Sequence, residues 1–139
     1  MKPYILDTDH VSLSQREQPA VLQRMAEVGH HYLAVSIITV EEQIKGRFKL
    51  IKRASNGQQL VQAYRDLQAN LAYFNTLQVL PFDDAANARY EALCQQKIRI
   101  GSQDLRIAAI VLSVNGILVT RNQRDFGKVP DLILEDWSI

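Results

Sequence analysis

Residues 4–13 read Y-I-L-D-T-D-H-V-S-L. Tyr4, Ile5 and Leu6 are apolar and run straight into Asp7, Thr8 and Asp9. A short apolar run bounded this way suits a buried strand. Carboxylates placed directly after it are costly to bury. They must either cap the helix that follows or hold something positive. The pattern recurs downstream. Tyr32–Val35 is an apolar run ahead of Ser36, Val79–Phe82 ends at Asp83, and Ile117–Thr120 ends at R-N-Q-R-D, residues 121–125. Leu132–Leu134 is the last such run.

Between these runs the periodicity is helical. Val11–Val28 predicts one or two short helices, broken near Pro19 and closed by Gly29. A helix from about Thr39 runs into a basic stretch, and A-S-N-G (54–57) makes a turn. Leu60, Val61, Tyr64, Leu67, Leu71 and Phe74 keep helical spacing within a helix over 58–77. Asp83 or Asp84 caps a helix to about Gln96. Ser102 opens Q-D-L-R-I-A-A-I-V-L, which ends at the Asn115-Gly116 turn. Short strands that are apolar throughout, separated by helices, predict an α/β fold with a parallel sheet covered on both faces.

The bulk numbers narrow the function. A chain of 139 residues suits one domain, 1–139. A net charge of +1 excludes a polycationic nucleic-acid coat but permits local patches. One is K-G-R-F-K-L-I-K-R (45–53), where Lys45, Lys49, Lys52 and Arg53 recur at helical spacing. Arg121, Arg124 and Lys128 form a looser group. Cys94 is the only cysteine, which excludes an internal disulfide and a cysteine-based zinc site. With no apolar run of about 18 residues and no signal-peptide pattern, a cytoplasmic protein without a membrane span is expected.

In parallel α/β sheets ligands bind beyond the carboxyl ends of the strands. Asp7 and Asp9 follow the first strand, Glu41 and Glu42 the second, and Asn122 and Asp125 a later one. Asp104 sits in the first turn of the helix before that later strand. Each has a plain structural role open to it. Thr39-Val40-Glu41-Glu42 fits a capping box, Asp104 suits a helix dipole, Asp9 is placed to cap a helix from Val11, and Asp125 suits a turn. Asp7 is the hardest to explain that way. Together, carboxylates at one sheet edge repel, and an oxygen-rich cluster suits Mg²⁺ or Mn²⁺. With cations nearby, such a cluster describes a phosphodiesterase site.

Y-I-L-D-T-D, S-I-I-T-V-E-E-Q-I-K-G, I-G-S-Q-D-L-R-I-A-A and I-L-V-T-R-N-Q-R-D-F occur in an order that resembles the PIN-domain family, and within it the VapC ribonuclease toxins. The likeness covers residue 4 to the end. It implies a three-layer α/β/α sandwich with a mainly parallel sheet. It also implies an Mg²⁺- or Mn²⁺-dependent endoribonuclease that hydrolyses RNA by metal-activated water. By position, Asp7, Glu42, Asp104 and Asp125 match the acidic cluster, with Asp7 and Asp104 as metal ligands. Thr8, Ser36, Thr120 and Asn122 match the groups around them. Where the family often carries asparagine this chain has Asp9, and where many members carry aspartate it has Asn122. The resemblance further implies a VapB-like antitoxin that covers the acidic site, and a homodimer built through helices. Lys45, Lys49, Lys52, Arg53 and Arg121 are candidate RNA contacts. No catalytic histidine is required; His30 and His31 are expected at the surface.

Two rivals share parts of the pattern. D-T-D-H-V and Thr120 fit the first two motifs of haloacid-dehalogenase phosphatases, but Lys128 and Glu135-Asp136 lie too near the C-terminus for the remaining ones. A PIN-like fold with a dead site, serving as an RNA- or protein-binding module, is the other.

Overall fold

The computed structural model describes residues 2–139. Five strands form one all-parallel sheet. They are β1 (Tyr4–Leu6), β2 (Leu33–Ser36), β3 (Gln78–Leu80), β4 (Ile117–Val119) and β5 (Ile133–Glu135), in the spatial order β3-β2-β1-β4-β5. The chain winds outward from β1 to β3, returns to place β4 against the other side of β1, and continues to β5. The direction of winding therefore reverses between β1 and β4, and the last rung there is Asp7 N–H donating to Val119 O at 2.9 Å.

Alternation along the strands makes two cores. Ile5, Ala34 and Leu118 face one side, where α5 (Asp84–Gln95) and α6 (Ser102–Ser113) pack over them. Leu6, Val35 and Val119 face the other, against Val11 of α1 (Thr8–Gln15), Val21 of α2 (Pro19–Val28) and Phe74 of α4 (Gly57–Phe74). The result is the expected three-layer sandwich. α3 (Ile37–Arg53) pairs with α4, and a short α7 (Gln123–Phe126) buries Phe126. No helix among the described residues is long and apolar enough to cross a membrane.

The caps explain where the expected boundaries moved. α1 starts at Thr8 rather than near Val11, because Asp7 itself accepts from Thr8 N–H at 2.8 Å. Pro19 does not break a helix but opens α2 at its first position, where its missing N–H costs nothing. Tyr32 lies in a 3₁₀ turn, His30–Tyr32, so β2 begins at Leu33. α3 starts at Ile37, capped by Ser36, whose hydroxyl accepts from Thr39 N–H at 3.1 Å. Thr39 is therefore inside the helix, and the Thr39–Glu42 capping box is overturned.

The β4 entry is tight. A Cβ on Gly116 would stand 2.4 Å from Ile5 Cδ1 and 3.1 Å from Pro3 O. Gly116→Ala should lower unfolding stability by about 1–3 kcal/mol, the usual cost of overpacking, read from urea denaturation.

Candidate active site

The topology brings the acids together. Asp7 leaves β1 and Thr120 leaves β4 at the point where the winding reverses. Helices that return chain between parallel strands run antiparallel to them, so each begins at the edge where strands end. Asp104, in the first turn of α6, reaches that edge although it precedes its strand. Glu42 arrives from the second turn of α3, and Asp125 from α7.

Asp7 is the centre of the cluster. It is only 7% exposed. Its Oδ1 accepts from Thr8 N–H at 2.8 Å and its Oδ2 from the Thr120 hydroxyl at 2.7 Å. Burial, then the charge of Asp9, pushes its pKa up to about 7; Asp104 adds to the rise, and the two hydrogen bonds oppose it. Asp104 is half-buried and also raised, by burial and then by Asp125 and Asp9. No ion pair neutralises it among the described residues. Glu42 is raised by burial, opposed by its bond from Thr8 Oγ1 at 3.0 Å, and pushed further by Asp104 and Glu41. Asp7, Asp9, Glu42, Asp104 and Asp125 thus form one field of like charge, linked through Asp104.

Hydroxyls and amides aim these acids. Thr8 Oγ1 lies 3.1 Å from Thr39 Oγ1, which lies 3.5 Å from the Ser36 hydroxyl. Ser36 therefore touches no carboxylate; it reaches Glu42 through two other hydroxyls. Thr120 Oγ1 also accepts from Asn122 N–H at 3.0 Å. Asn122 caps α7 and donates its amide to Asp125 Oδ2 at 3.2 Å. Thr39, a cap candidate in the sequence, instead joins the hydroxyl relay, and its place three residues after Ser36 is the sequence signal for it.

Asp9 does not cap α1. It accepts from His10 Nδ1 at 2.8 Å and from Arg121 N–H at 3.0 Å, tying α1 to the turn after β4. His10 is fully buried, and its Nε2 accepts from Trp137 N–H at 3.1 Å, so the proton sits on Nδ1 and points at Asp9. His30 and His31 are exposed.

The basic residues divide. One turn of helix per 3.6 residues sets Lys49 and Arg53 within about 20° of Glu42, but Lys45 and Lys52 some 60–80° away. Lys49, Arg53 and Glu42 line one groove of about 410 Å³, with Thr8 and Ser12 as its other wall. Lys45 instead pairs with Glu41 at 3.3 Å. The four cations expected on one face thus occupy two. Arg121 is exposed beside the acidic edge.

A hard divalent cation matches this donor set chemically, since the ligands are all oxygen and mutually repelling. Among the described residues no three His, Cys, Asp or Glu side chains already close around a common point. Like charges without a cation between them have every reason to stay apart.

No family model matches the sequence. The chain is 32% identical over 139 residues to ribonuclease VapC1 of Haemophilus influenzae, covering 97% of this chain and 98% of the relative. It is 29% identical to the tRNA(fMet)-specific endonuclease VapC of Shigella flexneri, covering 99% of this chain and all of the relative. Its fold superposes on the VapBC-1 structure from nontypeable Haemophilus influenzae with a TM-score of 0.76, at 28% identity and 98% coverage of both chains.

The raised Asp7 pKa has a consequence for stability. The folded chain holds this proton more tightly than the unfolded chain does. Stability is therefore full below about pH 4 and falls as pH rises through about 7. In EDTA, Asp7→Asn should be more stable than the parent at pH 8, on the order of 2 kcal/mol. The difference should close as pH approaches 4, followed by thermal melts across that range.

Proposed function

The chain belongs to the VapC family of PIN-domain ribonucleases, and on that footing we propose that it is the RNA-cleaving toxin of a toxin–antitoxin pair, working with a bound Mg²⁺ or Mn²⁺. One observation carries the metal assignment. Asp7 is buried among like charges, at a strand end where no ion pair among the described residues relieves it. A carboxylate held at such cost fits a site completed by a positive ligand.

Asp7 and Asp104 would hold the ion. Thr8 N–H and Thr120 Oγ1 each occupy one acceptor site on an Asp7 oxygen, fixing the carboxylate while leaving further lone pairs free. Thr8 aims Glu42 and Asn122 aims Asp125, so that these two acids orient the attacking water and take up its proton. The chemistry supplied by a bound divalent ion is that of a Lewis acid, polarising water and stabilising charge on the phosphate. Lys49 and Arg53, on the stripe of Glu42, draw the RNA backbone toward the acidic edge. In line attack would leave 5′-phosphate and 3′-hydroxyl ends.

The partner is a VapB-type antitoxin, whose arginine among these carboxylates would form charge-assisted hydrogen bonds. Leu60, Val61, Tyr64 and Leu71 of α4 are exposed and share one side of that helix. That apolar face serves the antitoxin or a second copy of the chain. The Shigella relative makes transfer RNA the first substrate to try. Family membership removes the phosphatase reading, and Asp9, committed to His10 and Arg121, is not free to act as its second acid.

Asp7→Asn and Asp104→Asn should each reduce RNA cleavage by roughly 10²-fold or more, the scale of losing a key charge stabiliser. Thr120→Val should cost about 10–100-fold by freeing Asp7. Mn²⁺ should raise the melting temperature of the parent and not of Asp7→Asn. Undiminished cleavage in EDTA would sink the metal assignment. Expression of the chain alone should arrest bacterial growth, with Asp7→Asn harmless; a harmless parent would favour the dead-site module.

A further inference from the structure

Arg47 stands apart from the other cations of α3. It is half-buried, and its Nε–H is buried with no hydrogen-bond partner among the described residues. It enters no ion pair there. Most of the groups around it are engaged with one another, and the buried acceptor left over, Asn70 Oδ1 in a cleft that Arg47 also lines, is neutral and makes no bond to it. Gln43 donates to Ser12 Oγ at 3.2 Å and accepts from Gln15 at 3.0 Å and Asn70 at 2.6 Å. Asp66, in a cleft that Arg47 also lines, accepts from Gln62 at 2.8 Å and forms no ion pair with Arg47. A guanidinium with a buried, unanswered donor is costly, and no carboxylate among the described residues pairs with it.

Its surroundings say which acceptor. Arg47 lines the groove of about 410 Å³ that begins at Glu42 and carries Lys49 and Arg53. It also lines an adjoining cleft of about 440 Å³ with Ser12, Gln15 and Arg16. The two share Ser12 and Arg47, so they adjoin along α1 and α3 as one channel-like depression with Arg47 at their junction. Four cations border it, against one carboxylate among the described residues that line it, Glu42 at the acidic edge; Asp66 lies in a third cleft that Arg47 also lines. Gly46 carries no side chain there, and a Cβ on it would meet nothing within 4 Å. A polyanion with a spaced row of acceptor oxygens fits such a channel. A protein segment offering one or two carboxylates would leave most of the cations unanswered.

We propose that Arg47 is an RNA-phosphate contact, the anchor of a backbone track leaving the acidic edge between α1 and α3, with Lys49 and Arg53 along it and Arg16 at its outer end. This rests on the ribonuclease reading. It replaces Lys45 and Lys52, which point out of the channel, by Arg47 and Arg16. Arg47 fixes where the backbone lies, and hence which phosphate is presented to the acids.

Fluorescence anisotropy with a short single-stranded RNA, titrated with salt in EDTA so that no cleavage occurs, tests the track on the full chain. Arg47→Met should weaken binding about tenfold, the value of a charged hydrogen bond. It should flatten the slope of log K against log salt by about 0.7, one phosphate contact on a single strand. Lys52→Met, which removes the same charge outside the channel, should change neither. The melting temperature of Arg47→Met should equal or exceed that of the parent, since the unanswered donor is gone, so weaker binding is not misfolding. Equal losses in both variants would mean a diffuse basic surface and would overturn the track. So would unchanged RNA affinity in Arg47→Met, whether or not antitoxin binding weakens. A parent that neither binds nor cuts RNA would instead overturn the ribonuclease reading, before any variant is compared.

Discussion

The Thr120 hydroxyl donates to Asp7 Oδ2 at 2.7 Å, across the seam where β1 meets β4. Everything at the carboxyl edge depends on this contact. It holds a buried carboxylate whose neighbours Asp9 and Asp104 both disfavour its charge. Together with Thr8 N–H it offsets part of that penalty, though not all, and the pKa remains near 7. The same hydroxyl accepts from Asn122 N–H, which starts α7 and places Asp125. One side chain thus couples the sheet, the buried acid and the last member of the cluster.

The opposing forces are arranged in layers. Apolar alternation drives both faces of the sheet into their cores, and the strands end where that alternation stops. Each helix that follows needs its first N–H groups satisfied, and here the caps are Asp7, Ser36 and Asn122. Capping and function therefore draw on the same side chains. A helix N-terminus favours negative charge, which lowers the cost of gathering acids there without removing it. The remaining repulsion keeps them from closing on a common point, and a divalent ion is what would reverse that balance.

Asp9 and His10 show how the chain locks this edge in place. His10 donates to Asp9 from one nitrogen and accepts from Trp137 N–H at the other, which ties the C-terminal segment to α1. Asp9 in turn accepts from the backbone of Arg121. On the opposite flank, Gln43, Ser12, Gln15 and Asn70 bind α1, α3 and α4 through their amides and hydroxyls. The second network borders the grooves lined by Arg47, whose Nε–H is buried without a partner, as is Asn70 Oδ1.

The sequence by itself determined the fold class and the acids. Short all-apolar runs can only be buried strands of a parallel sheet, and the helical periodicity between them is plain. Asp7, Asp104 and Asp125 stood out by their places after strands and in the first turns of helices, whereas Glu42 was set apart from Glu41 only by the family resemblance. Boundaries were less so, because a cap such as Asp7 or Ser36 looks in sequence like the last residue of a strand. Tertiary structure alone decided the rest. Asp9 proved a tie rather than a cap because its partners, Arg121 N–H and the His10 ring, come from a distant turn and from an orientation set by Trp137. The basic residues split because the packing of α3 against α1 decides which of them line the groove, Arg47, Lys49 and Arg53 among them. Hydrogen bonds over 113 residues of chain, such as Thr120 to Asp7, leave no local pattern in the sequence.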